Sequence, residues 1–468
     1  MRTLIRNADW IVTMNPLRER VRGGNVLIDG CRIAALGPGA GEGETVDRVI
    51  DASGWAVFPG FVNTHHHLYQ TLTRAIPAVQ DIPLFPWLLA LYEIWRGITP
   101  EAVYLGALVG LGELLKSGCT TSTDHHYVFP RDRPEGFIEA EIAAARQLGI
   151  RFHPTRGSMS LGRSQGGLPP DEVAQDEDAI LADCERLLDR YHDPAPYAMC
   201  RLALAPCSPF SVTPRLMKET AELARSRGVL LHTHLAETRD EERFCLEKFG
   251  CRPVAYLEQL GWLGRDVWFA HAIHLDDGEV RLLGETRTGV AHCPASNMKL
   301  SSGVCRVRDL LAAGARVGLA VDGSASNDSS HMWGEVRVAY LLQKLALGER
   351  GLSAEEVLYL ATAGGAAVLA RHEIGYLAPG MAADLVLIDL GRLEFAGTAG
   401  DPVTALVTTG PGTVDMVIVN GRVVVEDGHL VGLPDEREVA RRAREMSRRM
   451  AERAASGTAG SPLPRRRE

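Results

Sequence analysis

The sequence predicts an α/β protein: a (β/α)8 TIM barrel with a small β-sandwich domain formed from both chain ends. Three observations predict it. Short apolar strands alternate with longer amphipathic segments from about Phe58 to Ala370, the texture of parallel βα units. Eight such strands can be counted, the number that closes a barrel of this kind. The stretches before and after this region alternate apolar and polar residues in strand-like pieces without a helical period.

In chain order, residues 1–57 read as the first part of the β domain. Leu4 to Met14, Asn25 to Gly30, Arg32 to Leu36 and Arg48 to Asp51 are separated by glycine-rich turns. Residues 58–370 read as the barrel. Its strands are expected at Val57 to His67, Thr120 to His125, Arg151 to Thr155, Arg201 to Pro206, Leu230 to His234, Val267 to His271, Gly289 to Cys293 and Arg316 to Asp322. Pro100 to Gly118 and Pro214 to Gly228 are the clearest of the intervening helices. Residues 371–433 return to strand texture, with Ala383 to Asp389, Val414 to Val419 and Arg422 to Val425 placed around Asn420-Gly421, a strong hairpin signal. Residues 434–468 are different again. Arg437 to Arg453 alternates Arg and Glu with few large apolar residues, so it reads as a surface helix, and Ala454 to Glu468 is expected to be disordered.

The bulk composition narrows the function classes. The 46% hydrophobic and 23% charged residues are ordinary for a soluble globular chain. The net charge of -9 argues against a general nucleic-acid surface. No apolar run is long enough for a transmembrane helix, and the N-terminus lacks a signal-peptide pattern, so neither membrane nor export is expected. The nine cysteines are scattered singly without a CxxC pair, which fits reduced thiols and a cytoplasmic protein.

The chemistry concentrates at the strand ends, where barrels of this kind carry their metal and catalytic groups. Strand one runs into Asn63-Thr-His-His-His67, and a two-residue alternation puts His65 and His67 on one face while His66 points elsewhere. Strand five ends His232-Thr-His234-Leu-Ala-Glu237, strand six Ala270-His271 and strand eight Val321-Asp322. Three imidazoles and one carboxylate with an open position suit one divalent ion, above all Zn2+, although Fe2+ or manganese takes the same ligands. The HxE and PCxxC ligand pattern of a different zinc-site architecture is absent.

These motifs resemble the metal-dependent amidohydrolase superfamily, in particular its mononuclear deaminase branch. The resemblance runs through HxH, HxHxxE, AHxxHL, the HCPxSNxxL stretch His292 to Leu300, Val321 to Asp328 and Gly375 to Asp389. It implies His65, His67, His234 and Asp322 as metal ligands, with Glu237, His271 and Asp322 moving protons at an activated water. It leaves His274 at a variable position and gives His66 no role. Binuclear members bring a bridging lysine or glutamate from strand four; here that strand ends Ala205-Pro-Cys-Ser-Pro-Phe210, which supports a single metal.

Within the branch the chain is similar to 8-oxoguanine deaminases and hydroxydechloroatrazine ethylaminohydrolases, through His65 to Arg74, Pro83 to Leu88, Phe152 to Met159 and Gly166 to Pro170. That similarity implies a small heterocyclic substrate, foremost 8-oxoguanine going to urate and ammonia, with guanine, isoxanthopterin or an s-triazine as alternatives. A metal-free scaffold is the competing class, and homo-oligomers are expected from the resemblance. Gln70 offers a donor and an acceptor to a flat ring, and Arg156 is a candidate for a carbonyl or an anionic ring and equally for an ion pair. Trp87, Tyr127 and Trp95 are candidates for stacking. Cys207 has no neighbouring base in sequence and reads as packing.

Overall fold

The computed structural model describes residues 1–132, 135–398, 400–410 and 412–457. Eight parallel strands form the barrel: β1 (Phe61–Asn63), β2 (Cys119–His126), β3 (Arg151–Ser158), β4 (Ala203–Pro206), β5 (Leu231–Leu235), β6 (Val267–His271), β7 (Gly289–His292) and β8 (Arg316–Leu319). Each pairs with its neighbour in chain order. The seam between β8 and β1 is joined just beyond the strands. Thr64 N–H donates to Leu319 O at 3.2 Å, Val321 N–H to Asn63 Oδ1 at 3.0 Å and Asp322 N–H to His65 O at 3.2 Å. This closure is what sets Asp322 beside His65.

Helices flanking the strands include α1 (Leu84–Trp95), α2 (Pro100–Lys116), α3 (Pro214–Arg227), α4 (Arg239–Phe249) and α5 (Glu436–Gly457). The two helices expected from sequence start and stop for visible reasons. Thr99 and Thr213 cap α2 and α3 by accepting backbone N–H groups ahead of a first-turn proline, and α3 ends on Gly228 at φ 64°.

Both chain ends meet in a separate sheet. Its path runs His429–Leu430, Arg422–Glu426, Met416–Val419, Leu385–Asp389, Trp55–Pro59, Arg2–Val12, Arg20–Asp29 and Arg32–Gly37, with Arg48–Asp51 also on Arg2–Val12. The two halves join where Leu387 pairs antiparallel with Val57. Ile5, Ile11 and Ile28 from one end share a core with Leu385, Leu387 and Ile418 from the other. Asn420 and Gly421 form the hairpin turn at φ 51° and 76°, the two left-handed positions that a two-residue loop needs. A side chain at Gly421 would lie 2.0 Å from Gly30 O.

Two expectations change. The run Val57 to His67 is not one strand: Trp55–Pro59 belongs to the β domain and only Phe61–Asn63 to the barrel. Gly60 is the pivot between them, since a Cβ there would meet Thr120 Oγ1 at 2.1 Å. The C-terminal segment is not merely a surface helix. Val439, Ala443, Met446 and Met450 fall on one buried stripe of α5, which packs on α1 and α2. Of the stretch expected to be disordered, residues 458–468 lie outside the described residues.

A buried ion pair ties the barrel to the β domain. Arg151, at the start of β3, donates to both oxygens of Asp384 at 3.0 Å and to Asn420 Oδ1 at 3.1 Å. Its remaining N–H groups reach the carbonyls of Tyr197 and Ala198. Arg151→Ala leaves the Asp384 carboxylate buried without its cation, so unfolding in urea is expected to show a loss of about 3–5 kcal/mol. A loss below about 1 kcal/mol, the worth of an exposed pair, would show that the pair does not hold the two parts together.

Candidate active site

At the C-terminal ends of the strands four donor atoms converge. Asp322 Oδ1 lies 3.2 Å from His65 Nε2 and 3.3 Å from His67 Nε2, and His67 Nε2 lies 3.2 Å from His234 Nε2. Each imidazole is oriented through its other nitrogen. His65 Nδ1 bonds His232 Nε2 at 2.8 Å, while His67 Nδ1 and His234 Nδ1 each reach a carbonyl, of His125 and Cys207, at 2.7 Å. His232 is fixed in turn by the carbonyl of Trp268 and by stacking on its indole. Such outer partners set the tautomer that leaves Nε2 free for a metal.

The residues fit a divalent ion. His65 Nε2 and Asp322 Oδ1 are buried without hydrogen-bond partners, a costly arrangement that a shared cation satisfies. Burial lowers the pKa of all three imidazoles, that of His234 to about 3, so they are neutral near pH 7, the form in which an imidazole can ligate a metal. Burial opposes the charge of Asp322, but His65, whose Nε2 lies 3.2 Å from its Oδ1, and the nearby His271 and His67 hold its carboxyl well below the usual range. Its Oδ2 also accepts from Ser296 Oγ at 2.6 Å and Ser326 Oγ at 3.1 Å.

Glu237 and His271 stand next to this cluster. His271 Nε2 lies 3.6 Å from Glu237 Oε2, and its Nδ1 meets Asn297 Oδ1 at 2.9 Å. Ser302 Oγ donates to Glu237 Oε1 at 2.9 Å. Burial raises the Glu237 pKa. For His271 burial acts in the opposite direction, yet the carboxylates of Glu237 and Asp322 and the bond to Asn297 leave its pKa raised. His271 and Asp322 both adopt positive φ, 71° and 60°, so each strand turns sharply as it delivers its side chain.

His67, His234, Glu237, His271 and Asp322 line one cavity with Gln70, Trp87 and Tyr127. Leu84 and Leu88 of α1 and Phe210 after β4 add apolar wall. Gln70 rides on the short helical turn Leu68–Thr73 directly after His67. Its Oε1 faces Ala325 N–H at 3.4 Å, and a Cβ at Gly323 would lie 1.9 Å from that oxygen, so glycine makes room for the amide.

Two candidates sit elsewhere. Arg156 is corrected from a substrate contact to a packing ion pair: Nε bonds Asp183 at 2.7 Å, another nitrogen bonds Gln175 at 3.1 Å, and the guanidinium lies on the Phe129 ring. It does not line the cavity. Trp95 is likewise turned away, donating to Thr73 Oγ1. His66 is buried and bonds Ser330 Oγ, in keeping with its lack of a role.

Sequence reasoning missed His125, Ser296, Asn297, Ser302 and Glu241, and named His232 within its motif without giving it a role. Ser296 and Asn297 lie inside the His292 to Leu300 motif, so a signal was present; Ser302, two residues past it, carried none. His125 stacks on His234 at 4.8 Å but its Nε2 is taken by the carbonyl of Ala205.

Comparison with known proteins agrees with this geometry. The amidohydrolase family model matches residues 56–424. The chain is 50% identical over 432 residues to an 8-oxoguanine deaminase of Pseudomonas aeruginosa, covering 92% of this chain and 95% of that protein. It is 38% identical over 463 residues to a hydroxydechloroatrazine ethylaminohydrolase of Pseudomonas sp. strain ADP, covering 96% and 95%. A crystal structure of an atrazine chlorohydrolase from Arthrobacter aurescens TC1 complexed with zinc superposes with a TM-score of 0.92 at 34% identity, over 95% of this chain and all of that one. A barrel sealed beside Asp322, His65 and His67 against its carboxylate with His234 beside them, and a family match over residues 56–424 lead to one assignment: the chain belongs to the amidohydrolase family.

Proposed function

We propose that the chain is a metal-dependent hydrolytic deaminase of an oxopurine base, acting foremost on 8-oxoguanine to give urate and ammonia. The observation that carries this reading is the placement of Glu237 and His271 beside the four converging ligand atoms, on the wall of a cavity that also presents Gln70, Trp87 and Tyr127. The substrate assignment is supported by the identity to the Pseudomonas aeruginosa 8-oxoguanine deaminase.

His65, His67, His234 and Asp322 would hold one ion, Zn2+ above all, with Fe2+ compatible with the same donors. When bound, such an ion makes water nucleophilic near neutral pH. The chain's own groups then manage protons. Glu237, whose pKa burial raises, gives a proton to the ring nitrogen next to the amine-bearing carbon, which makes that carbon electrophilic. His271 Nε2 and Asp322 take the proton that water loses as its oxygen bonds to carbon. Returning that proton to the amine lets the C–N bond break and ammonia leave, and the second proton of water, lost as the new hydroxyl becomes the ring carbonyl, goes back to Glu237. Gln70 meets a ring carbonyl or nitrogen, and Trp87 and Tyr127 flank the ring.

The relative from strain ADP makes an s-triazine the main alternative ring. Ammonia and alkylamine release across 8-oxoguanine, guanine, isoxanthopterin and a hydroxylated s-triazine separates the readings. The expected result is highest kcat/KM on 8-oxoguanine. Turnover of the triazine with none on 8-oxoguanine overturns the purine assignment.

A further inference from the structure

We infer that Glu241 is a positioning residue that sets Glu237 for proton transfer. Glu241 lies in the first turn of α4 and is completely buried. Its two carboxylate oxygens accept successive backbone N–H groups: Oε1 from Ala236 at 2.8 Å and Oε2 from Glu237 at 3.0 Å.

The local sequence reads as an ordinary capping box, Thr238-x-x-Glu241, and Thr238 does accept the Glu241 N–H. In such a box the glutamate turns back to the N–H of the capping residue. Two helices of this chain do so, through Asp276 with Glu279 and Ser353 with Glu356. Glu241 instead reaches one and two residues further back, onto the peptides that deliver Glu237. The usual contribution to helix capping is given up for a bond at the candidate proton carrier.

Those peptides need holding. Ala236 sits at φ 51°, the left-handed region that residues with a Cβ disfavour. Its N–H is held by Glu241 and its carbonyl by the N–H groups of Ile273 and His274, at 3.1 and 2.9 Å, just past His271. The end of β5 is therefore fastened on one side to α4 and on the other to the end of β6. Glu237 leaves this clamp and places its carboxyl between Ser302 and His271. A glutamine at 241 offers one acceptor and one donor where two donors point, so one N–H loses its partner and the turn shifts.

The inference rests on Glu237 as the proton carrier. The test is a double-mutant cycle on the metal-loaded full chain, with Glu241→Gln, Glu237→Gln and both together, read as ammonia release per bound metal. Glu241→Gln is expected to lower kcat about 100-fold, the cost of a roughly 1 Å misplacement, with KM and metal content unchanged. In the Glu237→Gln background the second substitution is expected to cost nothing further. Losses that multiply, or wild-type kcat in Glu241→Gln, overturn the inference. If the glutamine variant does not fold, Glu241→Asp, whose shorter side chain keeps the carboxyl but reaches only one N–H, runs the same cycle with the same two outcomes. A fully active Glu237→Gln enzyme removes the reading of Glu237 itself, a result distinguishable from multiplying losses.

Discussion

Glu237→Gln is expected to keep a full complement of metal while turnover falls about 10²- to 10⁴-fold, the range of a lost general acid. Glutamine preserves the shape of the side chain and can still accept from Ser302, so the site is not dismantled. What it removes is the transferable proton. Glu237 is suited to carry that proton because burial raises its pKa, and the adjacent His271 faces it at 3.6 Å. Metal analysis and ammonia release on one sample decide the matter. Retained turnover with retained metal removes Glu237 as the proton carrier.

Stripping the metal with a chelator is expected to reduce turnover to background, and one equivalent of zinc per chain restores it. Without an ion the site keeps Asp322 Oδ1 and His65 Nε2 buried and unpaired, so the stripped chain is also expected to melt lower. An ion present at about 1,000 times its dissociation constant contributes about 4 kcal/mol by linkage, which sets the size of that shift. Purified protein with well under one equivalent of metal, unchanged in activity and melting after adding zinc, supports a metal-free scaffold instead. Two equivalents at saturation defeat the single-ion reading.

Much of this site was legible because metal ligands and proton carriers need particular side chains at strand ends, and a two-residue spacing survives translation into geometry. His65 and His67 meet the same oxygen although neither lies in the strand expected to carry them. The strand was misjudged because Trp55–Pro59 and Phe61–Asn63 are both apolar, and only the close approach of Thr120 to Gly60 shows that they serve different sheets. Arg156 stood open between two roles for a different reason. An arginine after a strand looks the same in sequence whether it meets a ligand or, as here, Asp183 and Phe129. Glu241 was hidden by its own motif, since a capping-box spacing accounts for it until its partners are seen. The stripe on α5 was overlooked because Arg and Glu dominate the segment, although Val439, Ala443, Met446 and Met450 keep helical spacing.

The meeting of both chain ends in one sheet also bears on how the protein is made. Trp55–Pro59 emerges early from the ribosome, yet its partner Leu385–Asp389 follows only after every strand of the barrel. Asp384, the anchor of Arg151, comes 233 residues after it. Throughout synthesis the leading strands carry an open edge, the kind of surface that invites wrong pairing. Closing that edge is a late event in the life of the nascent chain, and it steadies the segment that runs directly into His65 and His67. The strand that leads into His65 and His67 thus waits for the last part of the chain to cover its edge.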